Sequence, residues 1–156
     1  MEVALVVLGS VLALSASIVT EVMRNRLVDR RAKRHLRSLL KIEIPTILST
    51  IDRLVADQGN LGFIPILIIN EVDAARQGYD RNRDWIILFR DEGFRRDLIE
   101  FYQQLSVVCR EASSLETLAL QTQFTDQIAR RRPEIIARFR DIATRGRDVL
   151  RRIDEQ

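Results

Sequence analysis

LRSLLKIEIPTILSTIDRLV, residues 36–55, decides the fold. Its apolar side chains fall at Leu36, Leu39, Leu40, Ile44, Ile47, Leu48, Ile51, Leu54 and Val55. That three-four spacing gathers them on one side of an α-helix. Pro45 sits within the stretch and removes one backbone donor. The apolar phase holds on both sides of it, so a kink inside one helix is expected rather than two separate helices.

Toward the N-terminus the character changes twice. From Arg24 to Lys41 eight basic side chains stand against one acid, Asp29. Before them, Val3 to Val19 is 17 residues without a charge, extended by Thr20 and ended by Glu21. At about 1.5 Å per residue such a run nearly crosses a hydrocarbon core of about 30 Å. Val22 and Met23 can lengthen it. The reading is a transmembrane anchor over 1–23, running into a basic juxtamembrane helix over 24–41.

A cleaved signal peptide is the rival reading. It calls for a basic region ahead of the apolar stretch, and here the only charged side chain there is Glu2. Ala13-Leu14-Ser15-Ala16-Ser17 contains small residues of the kind a cleavage site uses, but the dense positive charge beyond it opposes export. A buried soluble helix is a third reading. For an anchor, Arg24, Arg26, Arg30, Arg31, Lys33, Arg34 and Arg37 set the topology and touch anionic lipid headgroups. They place the N-terminus outside and the remaining chain in the cytoplasm, in a bacterial inner membrane or another energy-transducing one. Gly9, Ala13 and Ser17 recur every four residues, flanked by Ala16 and Thr20. Small residues so spaced let two membrane helices approach closely, although such residues are also simply common in spans.

Toward the C-terminus, Asp57-Gln58-Gly59-Asn60-Leu61-Gly62 reads as a loop. Phe63–Ile69 is apolar but has no second strand to pair with, so Pro65 is taken as the first turn of a helix ending near Gln77-Gly78. Tyr79–Phe89 follows, with Asp80 as N-cap and Trp85, Ile86, Leu88 and Phe89 directed inward. Asp91 caps a long helix whose stripe is Phe94, Leu98, Phe101, Tyr102, Leu105, Val108, Cys109, Ala112, Leu115 and Leu118. The last helix begins at Thr125-Asp126, with Pro133 near a start or a kink. Its stripe is Ile135, Ile136, Phe139, Ile142, Ala143, Gly146, Val149, Leu150 and Ile153. Scarce breakers, 6 Gly and 3 Pro in 156 residues, suit long helices. The expected fold is all-α: one N-terminal transmembrane helix followed by a small antiparallel helical bundle over 42–156.

Chemistry is hard to assemble from this sequence. It has one histidine, His35, and one cysteine, Cys109. A catalytic base needs an orienting partner and a nucleophile, and a zinc site draws on several ligands. His35 is therefore expected at the surface and Cys109 in the core. Gly59-Asn60-Leu61-Gly62 lacks the lysine and the length of a phosphate loop. Asp91, Glu92, Asp97 and Glu100 cluster, but Glu92–Arg96 and Arg96–Glu100 have the spacing of surface ion pairs. No enzyme, metal or cofactor is expected, and no nucleic acid, because the basic stretch lacks interleaved aromatics.

The residues from Ile42 to Ala129 are acidic on balance, eight basic against fourteen acidic, and those from Arg130 to Arg152 are basic, nine against three. Arg138, Arg145 and Arg152 recur every seven residues and so share a face. That face is solvated unless an acidic surface meets it, and the acidic middle of this same protein in a homo-oligomer is one candidate. The leading expectation is an accessory or adapter protein without catalysis, binding membrane proteins through its anchor. The alternative is a membrane-tethered regulator or sensor whose bundle takes a small ligand, with Tyr102 and Trp85 as the polar groups nearest a pocket.

Overall fold

A computed structural model of the chain describes residues 2–57, 64–119 and 125–155; side chains are described in these ranges except at 2–18, 57, 119 and 125–127. Among the described residues the chain is helical and has no strand. The elements are α1 (Glu2–Asp57), α2 (Ile66–Ala75), α3 (Gln77–Asn82), a 3₁₀ helix (Arg83–Leu88), α4 (Glu92–Ala119) and α5 (Thr125–Ile153).

The stripe at 36–55 behaves as its spacing dictates. Leu36, Leu40, Ile44, Ile47, Leu48, Ile51 and Leu54 are buried, and α1 runs through Pro45 without a break. Proline leaves the Lys41 carbonyl without its usual amide donor. In the next turn the Thr46 hydroxyl donates to the Ile42 carbonyl at 2.8 Å and the Thr50 hydroxyl to the Thr46 carbonyl at 3.0 Å.

Cross-contacts give the helix directions. On α1 and α5, Arg37 meets Asp154 and Asp52 meets Arg147, so the two run antiparallel. On α1 and α2, Arg53 meets Glu71, while further back Glu43 meets Tyr79 of α3. On the second and third legs, the Ile64 amide donates to Glu116 at 2.8 Å and Tyr79 stacks on Tyr102. Four legs alternate in direction, with α2 and α3 together forming the second. Phe89, Phe94, Phe101 and Phe139 lie fully buried between them. Gly146 is where three legs meet: a Cβ there would stand 2.7 Å from the Phe101 ring of α4 and 2.9 Å from Leu48 of α1.

The stripes of α4 and α5 are buried as expected, except that Leu118 and Leu150 are only partly so. Asp91 caps α4, accepting from the Phe94 amide at 3.0 Å. Three local expectations are corrected. The helix from Pro65 does not end at Gln77-Gly78: α2 closes at Ala75, Arg76 stays in right-handed helical backbone, and Gly78 lies inside α3. Gly78 is there for close approach, since a Cβ would fall 2.7 Å from Glu43 Oε2 and 2.9 Å from Leu39. Asp80 caps nothing and instead faces Arg76 at 3.6 Å. Trp85 points outward, 38% exposed, because the tight 3₁₀ turns aim Ile86 and not Trp85 at the core.

Among the described residues no helix is long and apolar enough to cross a membrane. The anchor expected over 1–23 falls mostly on residues 1–18, whose side chains lie outside those described. Val19, Thr20, Val22 and Met23 are exposed, and so is every residue from Glu21 to Arg31. The core begins at Leu36.

Candidate functional site

The antiparallel run of α4 and α5 answers the question posed by the seven-residue arginine repeat. Arg138 pairs with Glu111, Arg145 with Glu100, and Arg152 with both Asp97 and Asp91, the last at 2.9 Å. Their acidic surface is thus α4 of the same chain. Arg152 also lies 5.7 Å above the Phe94 ring. The Phe94 amide and the Arg152 guanidinium hold the Asp91 carboxyl below its usual range. The expected Glu92–Arg96 and Arg96–Glu100 pairs give way to these longer links: Glu100 takes Arg145 and the Gln104 amide, and Arg96 meets Asp97 at 3.9 Å.

The cations near the start of the bundle are treated differently. Arg37 and Lys41 are joined to Asp154, close to the end of the chain. Below them, among the described residues, Arg24, Arg26, Arg30, Arg31, Lys33 and Arg34 form no ion pair; Arg34 reaches only the Arg30 carbonyl, at 3.4 Å. Arg90, just after the 3₁₀ helix, joins this group. Lys33 lies 5.5 Å above the Phe89 ring. Burial, and then the like charges of Arg90 and Arg37, lower its ammonium from its usual value. His35 is exposed, edge-on to Trp85 at 5.9 Å between centroids. The sequence marked the α1 cations. It gave no sign of Arg90, which arrives there only through tertiary packing.

A third cluster is buried. Glu43 is 6% exposed and accepts from the Tyr79 amide at 3.0 Å. Tyr79 stacks on Tyr102, rings 3.6 Å apart and 9° from parallel. The Tyr102 hydroxyl is buried beside Glu43 without completing a hydrogen bond of good geometry. Burial pushes the Glu43 carboxyl up to about 7, with Asp80 adding to the rise and the Tyr79 amide and Tyr102 hydroxyl opposing it. Sequence reasoning missed Glu43, although its place between Leu40 and Ile47 on the apolar face was a signal. Tyr102 is closed into this stack and Trp85 is on the outer surface, so the two do not converge on a common pocket.

Burial drives the Cys109 thiol up to about 12, as expected of a core cysteine. Among the described residues no group of three or more His, Cys, Asp or Glu side chains is placed to hold a metal ion. Of the small-residue stripe, Gly9, Ala13, Ala16 and Ser17 lie outside the described side chains, and Thr20 is exposed. In comparison with known proteins, no family model, no curated protein and no solved structure matches this chain.

Proposed function

We propose that the chain is a single-pass membrane-anchored accessory or adapter protein that acts without catalysis. One observation carries the reading: a continuous helix, Glu2–Asp57, joins an uncharged N-terminal run to a bundled C-terminal part through a run of mostly exposed cations that form no ion pair among the described residues. An uncharged run is favoured in hydrocarbon, and arginines that meet no acid among the described residues are free to meet lipid phosphates. The spanning role itself rests on the sequence. On this reading the N-terminus lies outside, the bundle stands at the cytoplasmic face, and the stripe Gly9, Ala13, Ser17 with Ala16 and Thr20 meets another membrane helix.

Migration of gently solubilised membranes on a native gel, with mass spectrometry of the band carrying this chain, tests the adapter role. Co-migration with a larger complex is expected and names the partner. Migration alone overturns it. Gly9→Leu or Ala13→Leu is expected to weaken the association while leaving insertion intact; unchanged association removes the stripe from the account.

A further inference from the structure

Glu43 stands at odds with its surroundings. Glu100, Glu111 and Asp97 on α4 each meet an arginine of α5, whereas Glu43, 6% exposed, has no cation among the groups that act on it. The titratable groups facing it are Tyr79 and Asp80 of α3 and Tyr102 of α4. Burial holds both tyrosines above their ordinary values, so they stay neutral. Asp80 is a like charge turned to Arg76 at 3.6 Å, and Arg83 acts on Tyr79 rather than on Glu43. In place of water, the ionised carboxylate keeps the Tyr79 amide at 3.0 Å and a Tyr102 hydroxyl of poor geometry. Those two dipoles do not offset the cost of burying a charge.

Of the elements around Glu43, α3 is the one that can yield. α1 and α4 are long helices, and both pack against α5. α3 has six residues and starts on Arg76 without a side-chain cap; at its far end Asn82 leaves helical backbone, at φ −117° and ψ 16°. Beyond Asn82, Ile86 and Phe89 are buried and hold the following segment in place. We propose that Gln77–Asn82 is a latch controlled by one proton: it stays seated on α1 while Glu43 carries the proton, and swings out about Arg76 and Asn82 when the proton leaves. Gly78 ties the motion to the charge. It sets the latch so close that a Cβ there would stand 2.7 Å from Glu43 Oε2, so the carboxylate reaches water only if the latch moves. Opening exposes the Tyr102 ring and the charged Glu43 side chain, a surface that the closed bundle does not present. The device is independent of the membrane-anchored reading.

The test is amide hydrogen exchange of the full chain in dodecyl maltoside, read by mass spectrometry from pH 6 to pH 8.5 and corrected for the intrinsic pH dependence of exchange. Burial holds the closed carboxyl up at about 7, and an opened one returns to the ordinary value near 4.5. The opening of Gln77–Asn82 should therefore rise about tenfold over this range and level off at its upper end. Global unfolding also frees Glu43, so the slope alone does not mark a latch. A local opening exchanges faster than the α4 and α5 amides and is insensitive to urea below the unfolding transition. Glu43→Gln, which cannot ionise, should abolish the slope. His35→Gln, which removes the one histidine two turns back on α1, should keep it. Tyr102→Phe removes a donor that favours the charge and should move the midpoint to higher pH. Exchange of Gln77–Asn82 in step with α4 and α5, with the same urea dependence, would overturn the latch. A slope that survives Glu43→Gln, or one lost in His35→Gln, would overturn Glu43 as its control.

Discussion

The α4–α5 seam and the lower end of α1 are both rich in arginine, and the structure uses the residue in opposite ways. Along the seam, Arg138, Arg145 and Arg152 each meet acids of the facing helix. Below it, Arg26, Arg30 and Arg90 meet none among the described residues and stay close to one another. A guanidinium is always charged, so its environment decides its work. Where acids recur at a matching period, arginine sets which helix packs on which. Where acids are few and none forms an ion pair, the charge is left for something outside the chain. Neither region can be recognised from its arginine content alone.

The largest effect is expected from disrupting the packing that brings the seam together. Gly146→Val would drive a branched side chain into Phe101 and Leu48. About 3 kcal/mol of stability should be lost, read by chemical denaturation; an unchanged midpoint would mean the three legs do not meet as described. Next is Glu43, where a charge rather than a volume is at odds with the core. Burial holds its folded carboxyl up at about 7, above the ordinary carboxylate value near 4.5. Between those values the folded chain holds a proton that the unfolded chain has released. Stability should therefore fall as pH rises through this window and level off above it. Glu43→Gln keeps an acceptor for the Tyr79 amide and should flatten the slope, gaining on the order of 2 kcal/mol at pH 8 relative to the parent. Melting curves at pH 5 and pH 8 for both proteins check this, and an identical slope would remove Glu43 as its origin.

Two double variants measure the difference between the two sets of arginines. Arg138→Ala with Arg145→Ala should cost about 1 kcal/mol, an effect that shrinks in high salt, because both pairs are solvent-exposed. Arg26→Ala with Arg30→Ala should change stability by less than about 0.5 kcal/mol. Equal costs measured side by side would mean that the two sets of arginines do the same work after all.

What could be read in the sequence follows its periodicities. The stripe from Leu36 to Val55, the stripes of α4 and α5, the Asp91 cap and the start at Thr125 all express local rules, and local rules survive folding. The turn from Arg76 to Phe89 was misread because its residues answer to α1: Gly78 resembles a helix stop but allows close approach to Glu43, and Trp85 resembles a core residue but lies against His35. Of the candidate sites, the cations of α1 were legible as a charge run. Arg90 was not, nor were the partners of Arg138, Arg145 and Arg152, since a repeat announces a shared face without saying which helix will meet it.

On the reading proposed above, Val3–Thr20 holds the chain in a bilayer and sets the arginines of α1 that form no ion pair among the described residues at its surface. Alkaline carbonate extraction of membranes carrying the full chain separates an anchored chain from a peripheral one. An anchored chain remains in the membrane pellet after extraction. Its release into the supernatant, alongside peripheral proteins, would rule the anchor out.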